Sequence, residues 1–269
     1  MIRLPDTNLP DNTAASLAQY QAEIDAIGDY AGRVERAKPA FAARNRTSNA
    51  TFRVIRASLA EMCAGVRRCC YCEDSVADEV EHMRPKDLYP DQTFHWPNYV
   101  YACGPCNGPK NNRFGVIPPG ETNVVDVRRR RGDDVVPPID GQYGVIDPRA
   151  EDPLDFMELD LRDTFNFVPS FPAETVEGAR AEFTIQLLGL NERDYLVEVR
   201  KVAFENYLAR LRDYVAEKQK DEPRLDLEVL LRGIKKLNNP TVWAEMKRQR
   251  NAYPELQELF ETAPEVLAI

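Results

Sequence analysis

The sequence predicts an α+β protein that is mainly helical, with a small cysteine-rich core between two helical regions. Apolar residues recur at helical spacing in the first 64 residues and again after about residue 173. Between these regions lie two Cys-x-x-Cys pairs, Cys69/Cys72 and Cys103/Cys106. Prolines and glycines concentrate at 118–154, which predicts loops with a short strand or hairpin.

These patterns divide the chain into four segments: a helical 1–64, a cysteine-rich 65–118, a loop-rich 119–172 and a helical 173–269. In the first segment we predict one helix over 14–37, capped by Thr13, and a second over 49–63.

The C-terminal segment reads as a series of helices. We predict them over 173–190, 191–220, 223–237 and 239–261. Gly189 is placed to end the first of them, and Asn191 is placed to cap the second.

The charge of the chain is unevenly distributed. The net charge is −9, which by itself argues against a nucleic-acid partner. The segment 32–56 is nevertheless clearly basic, and most of the acidic excess lies in the C-terminal half. This distribution suits a protein with one side facing a polyanion, although ordinary solvated helix faces account for it equally well.

The cellular compartment is predicted from what the sequence lacks. No apolar run approaches the roughly 18–20 residues of a membrane span. The opening residues do not follow the charged-then-apolar pattern of a signal peptide, so we expect a cytoplasmic protein. Because the cytoplasm is reducing, its paired cysteines are better interpreted as metal ligands or redox groups than as disulfides.

The two cysteine pairs predict a zinc site. Two sulfurs separated by two residues can bind one Zn²⁺ from a tight turn, and two such pairs complete a tetrahedral thiolate site. Cys69, Cys72, Cys103 and Cys106 are the predicted ligands; the alternative is four unligated cysteines. A four-cysteine site leaves no open coordination position, so this zinc is structural and any chemistry needs other residues.

Several polar residues lie between or beside the cysteine pairs. His82, one of two histidines in the chain, directly follows Glu81. Asn98 precedes the strand-like run "YVYA", and Asn107 directly follows the last cysteine. Taken alone, His82 is more often a buried histidine paired with Glu81 for structure, and the asparagines are turn or cap residues.

The order Cys-x-x-Cys, acid-His, Trp-x-Asn, Cys-x-x-Cys-Asn-x-x-Lys resembles the HNH nuclease family over about residues 69–114. The stretches "EHMRPK", "HWPNYVYACGPCNGPK", "VIDPRAEDP" and "TIQLLGLNERDYLVEVR" are similar to one branch of that family. That branch contains the HNH components of Septu-type and retron-linked bacterial anti-phage systems. The resemblance implies a ββα-metal core, two short strands and a helix around one divalent cation, in 65–118.

The resemblance also implies a role for each matching residue. His82 corresponds to the general base that deprotonates a water, and Glu81 to the acidic ligand of a catalytic Mg²⁺ or Mn²⁺. Asn98 corresponds to the residue that holds the histidine-bearing loop. Asn107 corresponds to the third position, a further ligand of the catalytic cation.

The same comparison suggests phosphate contacts and two departures from the family pattern. Residues placed to bind flanking phosphates are Arg84, Lys86, Lys110 and Arg113. The acid is Glu81 where Asp is commoner. Gly108 and Pro109 stand where the helix should be starting, which predicts a helix that begins later than usual.

We therefore expect a metal-dependent endonuclease, with DNA favoured over RNA as the substrate. The resemblance implies an effector of bacterial anti-phage defence with an ATPase partner subunit, for which the acidic C-terminal helices are a candidate docking surface. The alternatives are a non-enzymatic zinc-knuckle module that binds nucleic acid or protein, and a tRNA-directed nuclease toxin. The sequence leaves open the role of His95 and whether Arg128–Arg131 is a solvated loop or one that contacts phosphate or a partner.

Overall fold

The computed structural model describes residues 1–221 and 225–269, and about half of them are helical. The α-helices are α1 (Asp11–Asp25), α2 (Tyr30–Arg44), α3 (Ala50–Met62), α4 (Gly104–Lys110), α5 (Val176–Leu188), α6 (Asp194–Lys218), α7 (Leu227–Lys235), α8 (Pro240–Arg248) and α9 (Pro254–Thr262). The strands are β1 (Glu79–His82), β2 (Tyr99–Ala102), β3 (Gly115–Ile117), β4 (Val125–Asp126), β5 (Gln142–Tyr143), β6 (Met157–Leu159) and β7 (Phe167–Pro169).

The N-terminal region contains three helices where the sequence predicted two. The predicted helix over 14–37 is wrong, because the chain breaks after α1 and begins α2 at Tyr30. The Asp29 side chain caps α2 by accepting a hydrogen bond from the Gly32 amide at 2.8 Å. Thr13 lies inside α1 and does not cap it. The second predicted helix is confirmed as α3, whose first turn is capped by Asn49.

The strands form small antiparallel sheets. β1 pairs with β2 in a register that places Glu81 opposite Val100 and His82 opposite Tyr99. β3 lies between β4 and β5, and β6 pairs with β7. The predicted loops with a short strand over 118–154 are thus confirmed by β4 and β5, and the β6–β7 hairpin follows them.

The C-terminal region is helical, with different boundaries from those predicted. Gly189 ends α5 in the left-handed conformation at φ 56°, as expected. Asn191 does not cap α6; its side chain bonds the backbone of Phe167, accepting at 2.9 Å and donating at 2.8 Å. The predicted helix over 239–261 is two helices, α8 and α9. The start of the predicted 223–237 helix lies partly outside the described residues.

One hydrophobic core joins side chains from all four predicted segments. Arg149 ties the loop-rich segment to the cysteine-rich one by donating to the carbonyl oxygens of Trp96 and Tyr99 at 2.5 and 3.0 Å. Its guanidinium also stacks 4.4 Å from the centre of the Trp96 ring. Over the described parts of the chain, no helix is both long enough and apolar enough to span a bilayer.

Candidate functional site

The four predicted cysteine ligands converge on one point. The sulfur atoms of Cys69, Cys72, Cys103 and Cys106 all lie within 4.8 Å of one another, and all four residues are buried. The first pair lies in the turn before β1, and the second spans the start of α4. Of the other two cysteines, Cys63 donates from its thiol to the Leu59 carbonyl at 3.3 Å, and Cys70 is buried outside the cluster.

The spacing of these sulfurs fits a zinc ion. Four thiolates at about 2.3 Å from Zn²⁺ stand about 3.8 Å apart at the corners of a tetrahedron. The Cys72 and Cys103 sulfurs are 3.9 Å apart. Arg193 adds an outer contact by donating to the Cys106 sulfur at 3.3 Å, which favours thiolate there. The four buried cysteines can therefore bind one structural zinc, and the predicted clustering is confirmed.

The cysteine cluster lies beside two antiparallel strands and a short helix. A loop follows β1, and β2 then pairs antiparallel with β1. The helix α4 begins two residues after β2 ends. The prediction that this helix begins late is wrong: α4 starts at Gly104 with Pro105 in its first turn, where a missing amide hydrogen is tolerated. Pro109 lies close to the end of α4, and the helix stops after Lys110.

His82 ends β1 and is buried among aromatic rings. It is 3% exposed, and its ring centre lies 4.5 Å from that of Phe41 and 5.1 Å from that of Tyr99. Its Nε2 atom is 2.9 Å from the carbonyl oxygen of Thr93. Because a carbonyl can only accept, Nε2 carries the hydrogen in this contact.

The surroundings of His82 keep it neutral. Burial lowers the pKa of His82 well below its usual value, and the charges of Lys86 and Lys110 act in the same direction. The bond to the Thr93 carbonyl opposes this shift to a smaller extent. A neutral imidazole with its hydrogen on Nε2 has a lone pair on Nδ1. Nδ1 has no hydrogen-bond partner among the described residues, so it can accept a proton.

Asn98 is fully buried and joins the two ends of the loop between β1 and β2. Its side-chain oxygen accepts from the Arg84 amide at 2.8 Å. Its side-chain nitrogen donates to the carbonyl oxygens of Arg84 and Gln92, both at 3.0 Å. Asn98 therefore fixes the backbone two residues after His82, a position that suits the predicted loop-holding role.

Glu81 is buried against a lysine. The Lys110 ammonium donates to Glu81 Oε1 at 2.6 Å and to the His82 carbonyl oxygen at 2.7 Å. The Lys110 side chain is 0% exposed, so it does not present its charge to solvent. This position does not support the phosphate contact predicted for Lys110. The lysine instead connects the end of α4 to the end of β1.

Asn107 lies on α4 beside a carboxylate that the sequence analysis missed. Its side-chain nitrogen donates to Glu79 Oε2 at 2.6 Å, which leaves its oxygen available as a ligand. Glu79 lies two residues before Glu81 on β1, so the two side chains leave the same face of the strand. The pattern Glu-x-Glu-His in a four-residue strand is the signal that identifies Glu79 in retrospect.

A cleft of about 300 Å³ brings these residues together. β1, α4 and their flanking residues contribute Asp78, Glu79, Glu81, His82, Asn107 and Asn111. The N-terminal helices and the loop after β1 contribute Phe41, Asn45, Arg56 and Lys86. Three of the four residues with a predicted role in catalysis or in binding the catalytic cation thus line one cleft: Glu81, His82 and Asn107. The fourth, Asn98, is buried and does not line the cleft.

The oxygen atoms in the cleft are of the kind that Mg²⁺ or Mn²⁺ prefers. Glu79 and Glu81 offer carboxylates and Asn107 an amide oxygen. Their atoms do not converge as the cysteine sulfurs do; in the described parts of the chain, the cysteine cluster is the one such convergence of histidine, cysteine or acidic ligands. Mg²⁺ usually keeps several waters and takes only one or two protein carboxylates, so this donor set fits.

Of the three remaining predicted phosphate ligands, one lines the cleft. Lys86 lines it, with its ammonium 5.2 Å from the centre of the Phe41 ring. Arg84 points to the Tyr143 hydroxyl at 3.4 Å. Arg113 lies 3.6 Å from the Asp126 carboxylate, outside the cleft.

Two features left open by the sequence have defined surroundings. His95 is exposed and lines a separate groove against α1, away from the catalytic candidates. In the run of four arginines, the Arg129 side chain makes hydrogen bonds within the protein. It donates to the Asp87 carbonyl at 2.6 Å and to the Tyr30 hydroxyl at 3.0 Å. Arg130 and Arg131 are exposed.

The chain is similar to the Septu protein PtuB of Bacillus thuringiensis, with 41% identity over 61 residues. The aligned part makes up 21% of this chain and 23% of that protein, so it spans less than a quarter of the relative's length. This partial similarity supports a relation to Septu proteins. No protein-family model matches the chain, and no solved structure matches it.

Proposed function

We propose that this protein is a metal-dependent HNH endonuclease that hydrolyses phosphodiester bonds, with DNA as its preferred substrate. The observation that carries the proposal is the state of His82: a neutral imidazole whose Nε2 is bonded to a backbone carbonyl, in a cleft with Glu81 and Asn107. The combination of His82 with Glu81 and Asn107 is the discriminating feature, because a pure binding module does not need such a set.

The roles of the chain's own residues follow from their positions. Nδ1 of His82 takes a proton from a water, whose oxygen attacks the phosphorus as the bond to the leaving oxygen breaks. Asn98 keeps His82 in place by fixing the backbone at Arg84. Glu81, Asn107 and Glu79 would hold a divalent cation. When bound, such a cation supplies charge neutralisation at the phosphate and at the leaving oxygen.

The biological setting proposed is anti-phage defence. The support is the partial similarity to a Septu protein, together with the sequence stretches that resemble the HNH components of Septu-type systems. We further propose that the chain works with an ATPase subunit. Every residue with a proposed catalytic role lies before Arg113, whereas the acidic excess lies after it, where residues 114–269 contain 30 acidic and 21 basic residues.

A non-enzymatic zinc-knuckle module remains the second candidate, because one observation favours it. Lys110 already neutralises Glu81 through a buried ion pair. A carboxylate compensated in this way attracts a cation less strongly than a free one. In this alternative, β1, β2 and α4 with their cysteines form a binding surface for nucleic acid or protein.

Incubation of the purified protein with plasmid DNA and with total RNA, each with and without Mg²⁺ or Mn²⁺, separates these candidates. The proposal predicts cleavage of the plasmid that requires the divalent cation. Cleavage of RNA alone would support the RNA-directed toxin. Binding without cleavage of either substrate, across both cations, would support the zinc-knuckle module.

A further inference from the structure

The N-terminal helices carry positive charge that the proposed reaction does not use. Residues 32–56, which cover most of α2 and the first half of α3, contain seven lysines and arginines and one acidic residue, although the whole chain has a net charge of −9. Arg44 is paired with Glu23 at 2.8 Å. Within the described residues, the other six cations of this segment form no ion pair with a carboxylate. A concentration of unpaired cations in an acidic protein indicates an anionic ligand.

Arg56 connects this charge to the cleft. Its guanidinium donates to the carbonyl oxygens of Phe52 at 3.2 Å and of Arg46 at 3.4 Å, and to the side-chain oxygen of Asn45. Asn45 and Arg56 both line the cleft that contains His82. The contacts of Arg56 thus hold the end of α2 against α3 at the edge of the candidate site.

Two exposed arginines near Arg56, Arg46 and Arg53, add to the positive charge beside the cleft. Arg53 lies three residues before Arg56 on α3, so the two side chains share a helix face. Arg46 lies in the turn whose carbonyl Arg56 holds. Lys86 completes the set on the cleft side. We call Arg46, Arg53, Arg56 and Lys86 the cationic wall.

We propose that the cationic wall binds the phosphate backbone of duplex DNA and guides it to His82. The inference rests on the proposed function, which supplies the substrate. Contacts of arginine and lysine with phosphates fix the position of a duplex without reading its sequence. A duplex is favoured over a single strand because single strands are typically held by exposed aromatic rings. Phe41, the aromatic residue lining the cleft, is buried and cannot stack on a base.

The test is the salt dependence of binding to a short labelled DNA duplex, measured by fluorescence anisotropy without added divalent cation. The parent is compared with Arg46→Gln/Arg53→Gln. The matched control is Arg162→Gln/Arg210→Gln, which removes two exposed arginines outside the cleft. Each phosphate contact contributes about 0.9 to the slope of log K against log salt. We expect weaker binding and a slope smaller by about 1.8 for the first variant, with no change for the control.

A charge-conserving variant, Arg46→Lys/Arg53→Lys, should retain most of the slope, because the contacts are with phosphate charge. If the glutamine variant and the control bind duplex DNA as the parent does, the proposed surface is wrong. Continued DNA cleavage by the parent would then show that the nuclease proposal survives. If the glutamine variant binds duplex DNA more weakly than the parent but the parent does not cleave DNA, the proposed binding surface is supported and the nuclease proposal fails. If the glutamine variant binds a labelled RNA more weakly than the parent does in the same assay, but binds the DNA duplex equally well, the assignment of duplex DNA is overturned.

Discussion

The Nε2 atom of His82 lies 2.9 Å from the carbonyl oxygen of Thr93, inside a pocket lined by the rings of Phe41 and Tyr99. The contact sets the tautomer, and the pocket disfavours the charged form. Together they give a histidine that is uncharged and has Nδ1 free to accept a proton. The same burial has a consequence for stability.

Lowering the pH should reduce the free energy of unfolding, because His82 is buried in its neutral form. Its pKa is lowered in the folded state, so below the ordinary value of about 6.5 the unfolded chain binds the proton first. Its contribution to stability is therefore present above pH 6.5 and falls as the pH drops, by about 1.4 kcal/mol per pH unit until the folded-state pKa is reached. Urea unfolding at pH 8 and pH 5.5 measures it.

The matched variant is His82→Gln, which removes the titrating group. Its free energy of unfolding should fall less between pH 8 and pH 5.5 than that of the parent. His95→Gln is the comparison: burial also lowers the pKa of His95, but less than that of His82, so this variant should lose a smaller part of the pH response than His82→Gln. An equal pH response of the parent and His82→Gln would contradict the buried, neutral state of His82.

Purified protein should contain about one zinc per chain. Replacing any one of Cys69, Cys72, Cys103 or Cys106 with serine should remove the metal and destabilise the fold, because zinc binding at such a site is also folding free energy. Cys63→Ser is the control and should keep its zinc, since its sulfur lies outside the cluster. Metal analysis with thermal unfolding measures both effects; a metal-free parent would refute the site.

The ion pair between Glu81 and Lys110 should behave as a buried one. Lys110→Met leaves the Glu81 carboxylate without its partner and should destabilise the protein by roughly 3–5 kcal/mol. Adding Glu81→Gln should recover much of this loss, because the unpaired charge is then removed. Denaturant unfolding of the two single variants and the double variant tests the coupling. Additive effects would show that the pair is not coupled in solution.

The C-terminal helices should serve a partner rather than the chemistry. Co-expression with the genes around its own should yield a complex that contains an ATPase subunit. Size-exclusion chromatography followed by mass spectrometry identifies the components. A chain that is monodisperse and fully active alone, and that retrieves nothing from its native host, would contradict the partner proposal.

Sequence reasoning located the cysteine cluster because a metal site imposes a fixed spacing on its ligands. The resemblance to HNH nucleases grouped Glu81, His82 and Asn107 in one site, although only Asn107 directly follows a cysteine ligand. Sequence reasoning missed the break between α1 and α2, because apolar periodicity continues across it. Only the capping contact from Asp29 to the Gly32 amide shows where the second helix begins.

Two features of the site depend on contacts between residues distant in sequence. The burial of Lys110 against Glu81 joins residues 29 positions apart, so a lysine after a cysteine pair reads as a surface cation. Glu79 becomes part of the site only when α4 places Asn107 against it, 28 residues later in the chain. Tertiary packing decides both, and the Glu-x-Glu-His pattern points to Glu79 only once the contact with Asn107 is known.

The central claim is that His82 is the general base, and the most direct test is cleavage rate against Mg²⁺ or Mn²⁺ concentration for His82→Ala, Glu81→Ala and Asn107→Ala. We predict that His82→Ala loses about 10²–10⁴-fold in rate at every divalent concentration, because no cation replaces a positioned base. Glu81→Ala and Asn107→Ala should recover part of their activity at high concentration. Zinc content should be unchanged in all three. Cleavage by His82→Ala at the rate of the parent, with His95→Ala inactive, would contradict the account.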